Sequence, residues 1–201
     1  MSPYQTLLLA GGLLVLGTPA IGAVINLSAT GLAAPVRTVT FSEVGLADTA
    51  PVSNEFAALG VIFSPNLYYR TNDNPAWPNI SGPNIRSGDP IVNTFSLGFN
   101  EPVTAAAFAA IASPPTTTTF TARLNGATVE SFDTLVSLDN PPNTFFGFEG
   151  IVFDEIQVAY SAETRIRLDN LQFGPVVPEP ATVSLCLLGC WGILVRRRRQ
   201  K

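Results

Sequence analysis

Thr117-Thr-Thr-Phe-Thr-Ala-Arg-Leu124 is followed by Asn125-Gly126 and then by Ala127-Thr-Val-Glu-Ser-Phe-Asp-Thr-Leu135. Side chains along a β-strand alternate between two faces. The odd positions from Thr117 to Arg123 are polar and share one face, while Phe120, Ala122 and Leu124 share the other. Asn-Gly is a preferred two-residue connection between antiparallel strands. This stretch therefore predicts a β-hairpin with one buried face.

A similar sequence pattern continues on both sides of the hairpin: short runs of β-branched and aromatic residues are separated by Gly, Pro, Asn and Asp. Further strands are predicted at Arg37–Ser42, Gly60–Ser64, Thr94–Phe99, Val103–Ile111, Thr144–Glu149, Ile156–Ser161 and Arg165–Phe173. No segment has helical periodicity, although Asn54–Leu59 is long enough for one turn. About nine strands in about 140 residues predict an all-β domain of two packed antiparallel sheets. We expect a jelly-roll-like β-sandwich, with an immunoglobulin-like sandwich as the alternative.

Charge is distributed unevenly along the 201 residues. Between Ala23 and Val177 there are fourteen acidic and six basic residues, a net charge of −8, whereas four arginines and one lysine close the chain. An acidic domain repels nucleic acid, so we expect no nucleic-acid partner.

The side chains that most often do catalysis are missing from the domain. Histidine is absent, the single lysine is Lys201, and both cysteines, Cys186 and Cys190, lie near the C-terminus. These absences exclude Ser-His and Cys-His nucleophiles, and cysteine zinc sites, within the domain. Glu149, Asp154 and Glu155 are close together in sequence, but their spacing matches no glycosidase pattern. We therefore expect no enzymatic activity and no required cofactor, with a polysaccharide-modifying enzyme as the alternative.

The N-terminus has the features of a signal peptide. Leu7–Leu16 is a run of ten uncharged, mostly apolar residues, broken by Gly17-Thr18-Pro19 and followed by small residues. That length suits the core of a secretion signal and is short for a membrane span. We predict a signal helix in residues 1–22 and a small-residue linker over residues 23–36.

Three elements follow one another at the C-terminus. Pro178-Glu179-Pro180 precedes an uncharged run, Ala181–Val195, and the basic cluster Arg196, Arg197, Arg198 and Arg199. Fifteen helical residues span about 22 Å, less than a hydrocarbon core of about 30 Å. The arginines are expected on the cytoplasmic side, which places the Pro-Glu-Pro motif on the opposite side. Residues 176–201 thus predict a sorting signal with a transmembrane helix.

This arrangement resembles the PEP-CTERM sorting domain of Gram-negative bacteria. The resemblance implies processing by an exosortase-type membrane protease, transient inner-membrane attachment with the domain on the periplasmic side, and delivery to the cell surface or beyond. It also implies an association with extracellular polysaccharide or biofilm matrix. Residues 37–175 resemble the β-sandwich often found before this signal, through Thr40-Phe41-Ser42-Glu43 and Leu168-Asp169-Asn170-Leu171-Gln172-Phe173. A self-associating structural surface protein is a further alternative.

Two candidate binding sites lie in the domain. Residues 65–90 predict a long irregular loop whose aromatic residues, Tyr68, Tyr69 and Trp77, suit stacking on sugar rings. The alternative is a rigid cover in which Trp77 fills the sandwich edge. Glu43 and Asp169 are candidate ligands of a structural calcium ion, because alternation slips at Asp169-Asn170 and a bulge there would direct a carboxylate to an edge site.

Overall fold

The computed structural model describes residues 22–72, 77–88, 93–161 and 163–176. Within these ranges, no helix has the length and apolar character needed to cross a membrane. The predicted signal helix in residues 1–22 lies outside the described residues except for Gly22. So do the sorting motif at Pro178-Glu179-Pro180, the predicted transmembrane run Ala181–Val195 and the cluster Arg196–Arg199.

The described residues form an all-β fold in which every strand pair is antiparallel. One 3-10 turn, Ala57–Leu59, confirms the single turn predicted within Asn54–Leu59. The strands are β1 Ala23–Ser28, β2 Arg37–Val39, β3 Pro51–Val52, β4 Val61–Phe63, β5 Leu67–Arg70, β6 Asn84–Ser87, β7 Thr94–Ser113, β8 Thr116–Leu124, β9 Ala127–Val136, β10 Phe145–Tyr160 and β11 Arg165–Val176.

All eleven strands join one hydrogen-bonded network. Its main path runs β3-β5-β6-β11-β7-β10-β8-β9, and β1, β2 and β4 pair with β10, β11 and β7. The three longest strands, β7, β10 and β11, lie in the middle of this path. Each of them pairs with different neighbours along its length, which brings distant parts of the chain together.

The predicted hairpin is confirmed. Strands β8 and β9 pair from Thr116↔Val136 to Leu124↔Ala127. Asn125 and Gly126 connect them with φ angles of 51° and 79°. Two consecutive left-handed residues are what a tight hairpin connection of this type requires.

Two long strands replace four predicted short ones. Strand β7 continues through Asn100-Glu101-Pro102, and β10 continues from Phe145 to Tyr160 through Gly150. The turn-forming residues interrupt the ladder without reversing the chain: the β10–β7 register shifts between Glu149 and Phe153 and again before Glu155. Gly150 takes a φ of 77° at this irregularity. Pro and Gly therefore mark bulges here, not connections.

Strand β1 lies in the segment predicted as a linker, so that prediction is wrong for Ala23–Ser28. These residues pair with the first part of β10, from Ala23↔Glu149 to Ser28↔Phe145. The free backbone edge of β10 stabilises an extended segment whose side chains are only partly covered. The predicted irregular loop over residues 65–90 is also wrong in part, because it contains strands β5 and β6.

The core consists mainly of phenylalanines. The larger cluster includes eight fully buried aromatic side chains among its members: Phe41, Phe56, Phe95, Phe108, Phe120, Phe146, Phe148 and Phe153. A smaller cluster contains Leu32, Ile80, Ala107, Ala109, Ile111 and Phe145, with Trp77 packed against it. Consecutive alanines of β7 alternate between the two clusters, since Ala106, Phe108 and Ala110 belong to the first and Ala107 and Ala109 to the second. Both faces of the middle of β7 are therefore buried.

Candidate functional site

A gap in strand pairing on one edge of β11 defines the best candidate site. Strand β6 pairs with Arg167 and Leu168, and strand β2 pairs with the stretch from Leu171 to Phe173. Asp169 and Asn170 lie between these two partners. On the other edge, the register with β7 shifts between Asp169 and Gln172. The bulge predicted at Asp169-Asn170 is confirmed.

Asp169 is a buried carboxylate, 1% exposed. Its Oδ2 accepts a hydrogen bond from the Ser81 backbone N–H at 3.0 Å, and its Oδ1 accepts one from Asn170 N–H at 2.6 Å. Burial, with a smaller contribution from the negative charge of Glu43, raises the pKa of this carboxyl to about 7 against the lowering effect of the two backbone donors. The charged form of Asp169 is therefore disfavoured in the folded protein, chiefly because the carboxylate is removed from water.

Glu43 lies at the same gap, because it is bound by Thr40, the residue that follows the Val39↔Leu171 pair at the end of β2. Its Oε1 accepts hydrogen bonds from the Thr40 backbone N–H at 2.9 Å and the Thr40 hydroxyl at 3.0 Å. These bonds fix the glutamate just after the end of β2. The pairing of β2 with β11 thus places both carboxylates singled out from the sequence at the same edge of β11. In the described part of the chain, no three Asp, Glu, His or Cys residues group as metal ligands.

Asn84 is a third polar residue at this gap that the sequence reasoning missed. It is 0% exposed, its Nδ2 donates to the Gly82 carbonyl at 3.1 Å, and its Oδ1 has no hydrogen-bond partner. The pairs Arg167↔Arg86 and Leu168↔Ile85 end one residue short of Asn84 and Asp169, so the same register continued places these two residues beside each other. Side chains directly opposite in a ladder share one face, with Cβ atoms about 5 Å apart. Only the strand register reveals this, because residues 65–90 read as irregular in the sequence.

Two asparagines hold the segment before Asn84 across the gap. Asn170, at φ 49°, donates from its side chain to the Asn79 carbonyl at 2.8 Å. The Asn79 amide in turn lies within hydrogen-bond distance of Ala29 O, Pro142 O and Thr144 Oγ1. These contacts position Ser81, whose N–H reaches Asp169. The gap is therefore lined by a defined backbone and is not an open edge.

The aromatic candidates do not act as one group. Tyr69 is 2% exposed and its hydroxyl donates to the Phe41 carbonyl at 3.1 Å, so its ring belongs to the core. Tyr68 is half-buried and points to the opposite face of β5. Trp77 is half-buried against the smaller cluster, and the Arg167 guanidinium lies 5.2 Å from its ring centroid. Tyr68 and Trp77 are the two that retain exposed surface.

The three carboxylates that are close together in sequence, Glu149, Asp154 and Glu155, have different surroundings in the structure. Asp154 Oδ2 accepts a hydrogen bond from the Asn125 backbone N–H at 2.9 Å and so holds the β8–β9 turn. Asp154 and Glu155 line a depression of about 490 Å³ beside the turn, together with Ser64 and Ser96. Glu149, the third carboxylate, is not among the residues that line it. This placement gives the depression two of the three carboxylates considered for hydrolysis.

The processing motif Pro178, Glu179 and Pro180 and the cluster Arg196–Arg199 follow β11, which ends at Val176, and they lie outside the described residues. Neither the protein-family models nor the curated proteins compared with this chain match it.

Proposed function

We propose that this chain is an exported, non-enzymatic surface or matrix protein that is sorted through its C-terminal Pro-Glu-Pro signal. One observation carries the proposal: Pro178-Glu179-Pro180, the uncharged run Ala181–Val195 and the cluster Arg196–Arg199 occur in this order. The signal-like N-terminal run Leu7–Leu16 supports export. This arrangement resembles the sorting signal of exosortase substrates. We therefore propose an exosortase-type membrane protease as the partner.

Charge supports the direction of insertion. The acidic domain carries no cluster of positive charge next to the apolar run, while the arginines follow that run directly. Positive residues flanking a short span stay on the cytoplasmic side. The domain and the Pro-Glu-Pro motif then lie outside. A run of fifteen residues is short for a permanent span, which favours transient attachment followed by cleavage.

For the domain we propose a jelly-roll-like two-sheet sandwich. Some rings contact each other although their residues are not paired in a ladder, which supports two facing layers. Phe99 and Phe173 are an example, with their ring centroids 5.3 Å apart. The bulges of β10, and the pairing of its two halves with β1 and β8, suit a strand that passes from one layer to the other.

An association with extracellular polysaccharide is the second part of the proposal. The exposed surface of Tyr68 and Trp77 supports it, because an aromatic face is the usual stacking partner of a sugar ring. A pull-down on the host's purified polysaccharide checks it, with the Tyr68→Ala variant compared against Leu135→Ala. Leu135 is an exposed strand residue far along β9. Equal retention of wild-type and Tyr68→Ala protein would remove Tyr68 from the proposal.

Sorting is tested by following the C-terminus in cells. Protein carrying tags on both sides of the motif is compared in strains with and without the sorting protease. We expect loss of the C-terminal tag only where the protease is present, and retention of the intact chain in the Glu179→Ala variant. The Glu149→Ala variant, changed at an exposed carboxylate of β10, serves as control and is expected to be processed normally. An intact tail in the mature protein of both strains would instead mean a permanent membrane attachment.

A further inference from the structure

We propose that the gap between β2 and β6 on the edge of β11 binds one calcium ion through Asp169, Glu43 and Asn84. The proposal is independent of how the protein is sorted, and it concerns the stability of the domain. It depends on three oxygen-bearing side chains at this gap: Asp169 lies within β11, Asn84 begins β6, and Glu43 lies just beyond the end of β2, where Thr40 binds it. Two of them are acidic, and the third is a buried amide.

Asn84 is the observation that points to a ligand. A buried carbonyl oxygen without a hydrogen-bond partner costs about 1–3 kcal/mol, and such atoms are rare in folded proteins. The Asn84 Oδ1 is such an atom, in a residue that is 0% exposed. Its own Nδ2 is bonded to Gly82, which fixes the orientation of the amide. The β6–β11 register, continued one residue beyond Leu168↔Ile85, places Asn84 beside Asp169, and a cation bound between the two side chains would satisfy the unpartnered oxygen.

The carboxylates supply the charge that a cation needs. Each Asp169 oxygen accepts one backbone N–H, which leaves further lone pairs for coordination. A divalent ion bound at the gap would be attracted by both carboxylates, and most strongly by Asp169, because that side chain is buried away from water. The backbone N–H and the hydroxyl of Thr40 both donate to Glu43 Oε1. These neutral donors hold the glutamate in place without cancelling its charge.

The ligand types select a hard cation. All three side chains offer oxygen, and the chain has no histidine. Calcium accepts carboxylate and amide oxygens in irregular arrangements of six to eight, whereas magnesium requires a near-ideal octahedron. A bulged strand edge suits the irregular arrangement, with water and backbone carbonyls completing the shell. Sites on extracellular modules typically bind calcium with a Kd of about 0.1–1 mM.

A proton could satisfy the same atoms. If Asp169 were protonated, its O–H could donate to Asn84 Oδ1 and no metal would be needed. The two possibilities differ in their response to calcium, because only a metal site gives saturable binding and a rise in Tm that follows the calcium concentration.

The experiment uses the full chain purified in detergent and stripped of metal with a chelator. Calorimetric titration with calcium chloride is expected to show one site. Calcium at about 100 times Kd should raise Tm by several degrees. Magnesium at the same concentration should produce a smaller shift. Asp169→Asn and Asn84→Ala should each abolish the calcium-dependent shift, and Glu43→Gln should weaken binding at least tenfold.

Glu149→Gln is the matched control, since it removes an exposed carboxylate from the same sheet and should bind calcium as the wild type does. Far-UV circular dichroism establishes that each variant is folded before titration. If Asp169→Asn does not fold, Glu43→Gln decides, because Glu43 is exposed and can be changed without loss of packing. Absence of saturable binding to the folded wild type at 10 times the upper Kd would overturn the proposal and favour the protonated pair. Unchanged binding in Glu43→Gln and Asn84→Ala would place the ion elsewhere.

Discussion

Phe120 and Phe146 stack with their ring centroids 5.1 Å apart and their planes 12° from parallel. Phe120 lies on β8, which pairs with the second half of β10, whereas Phe146 lies in the first half of β10. The two rings therefore meet across the interior and not along a ladder. Phe120 also stacks on Phe132 at 5.1 Å and contacts Phe108 at 5.9 Å. This ring connects four strands.

Replacement of Phe120 by alanine should destabilise the domain strongly. The side chain is 0% exposed and contacts three other rings, so its removal leaves a cavity that the surrounding strands cannot fill. A loss of about 3–5 kcal/mol in unfolding free energy is expected. Urea unfolding followed by circular dichroism measures it. Leu135→Ala, at a residue that is 56% exposed, should change the free energy by less than about 0.5 kcal/mol. A loss below 1 kcal/mol for Phe120→Ala would show that the stack contributes little.

Gly147 should not tolerate any side chain. A Cβ at this position would collide with the Ala106 carbonyl oxygen and lie 2.6 Å from the Ala107 Cα, both on the neighbouring strand β7. Backbone atoms in a central ladder cannot move aside, so we expect Gly147→Ala to prevent folding or to cost at least about 3 kcal/mol. Gly45→Ala is the control, because a Cβ there meets nothing within 4 Å. Similar melting temperatures for the two variants would contradict the close strand contact.

Local pattern predicted much of this fold. The hairpin at Asn125-Gly126 needed only alternation and turn chemistry, and both act within a few residues. The bulge at Asp169-Asn170 was also visible, as a slip in alternation. In contrast, the continuity of β7 through Pro102 and of β10 through Gly150 depends on neighbouring strands that hold the chain extended. Propensity at a single residue cannot reveal such tertiary support.

The residues of the candidate site were likewise predicted only in part from the sequence. Glu43 and Asp169 could be singled out because Glu43 closes the first predicted strand and alternation slips at Asp169 within the last. Asn84 could not, since its partner depends on the β6–β11 register, and β6 was not predicted. Tyr69 illustrates the opposite case. An aromatic residue in an apparently polar loop suggested a ligand contact, but the alternation of β5 turns its ring into the core.

Alkaline pH should destabilise the domain through its buried tyrosines. Burial raises the pKa of Tyr69 and of Tyr160 above 10, and the Glu43 charge adds to the effect at Tyr69. Because the folded-state pKa exceeds the unfolded value, the stability that these phenols contribute is present below pH 10. It is lost as pH rises through the folded-state pKa.

Tyr69→Phe should reduce this alkaline loss. At pH 8 the variant should be about 1 kcal/mol less stable than the wild type, because the hydrogen bond to Phe41 is removed. The difference should shrink between pH 10 and pH 11.5, measured by urea unfolding across the series. Tyr68→Phe, at the half-buried neighbour, is the matched control for loss of a phenol. A constant difference between wild type and Tyr69→Phe at all pH values would contradict the prediction.

Trp77 should stabilise the smaller cluster as well as offer a surface to a ligand. Its indole packs beside Ile80 and other apolar residues, and Arg167 lies 5.2 Å from the ring centroid. Trp77→Ala should cost about 2 kcal/mol, less than a fully buried aromatic, because the residue is only half-buried. Trp77→Phe keeps an aromatic ring over Arg167 and should recover at least half of that loss. Thermal unfolding of the three proteins measures the effect. If Trp77→Ala is as stable as the wild type, the indole does not support the cluster, and a role in ligand binding becomes the better explanation for its position.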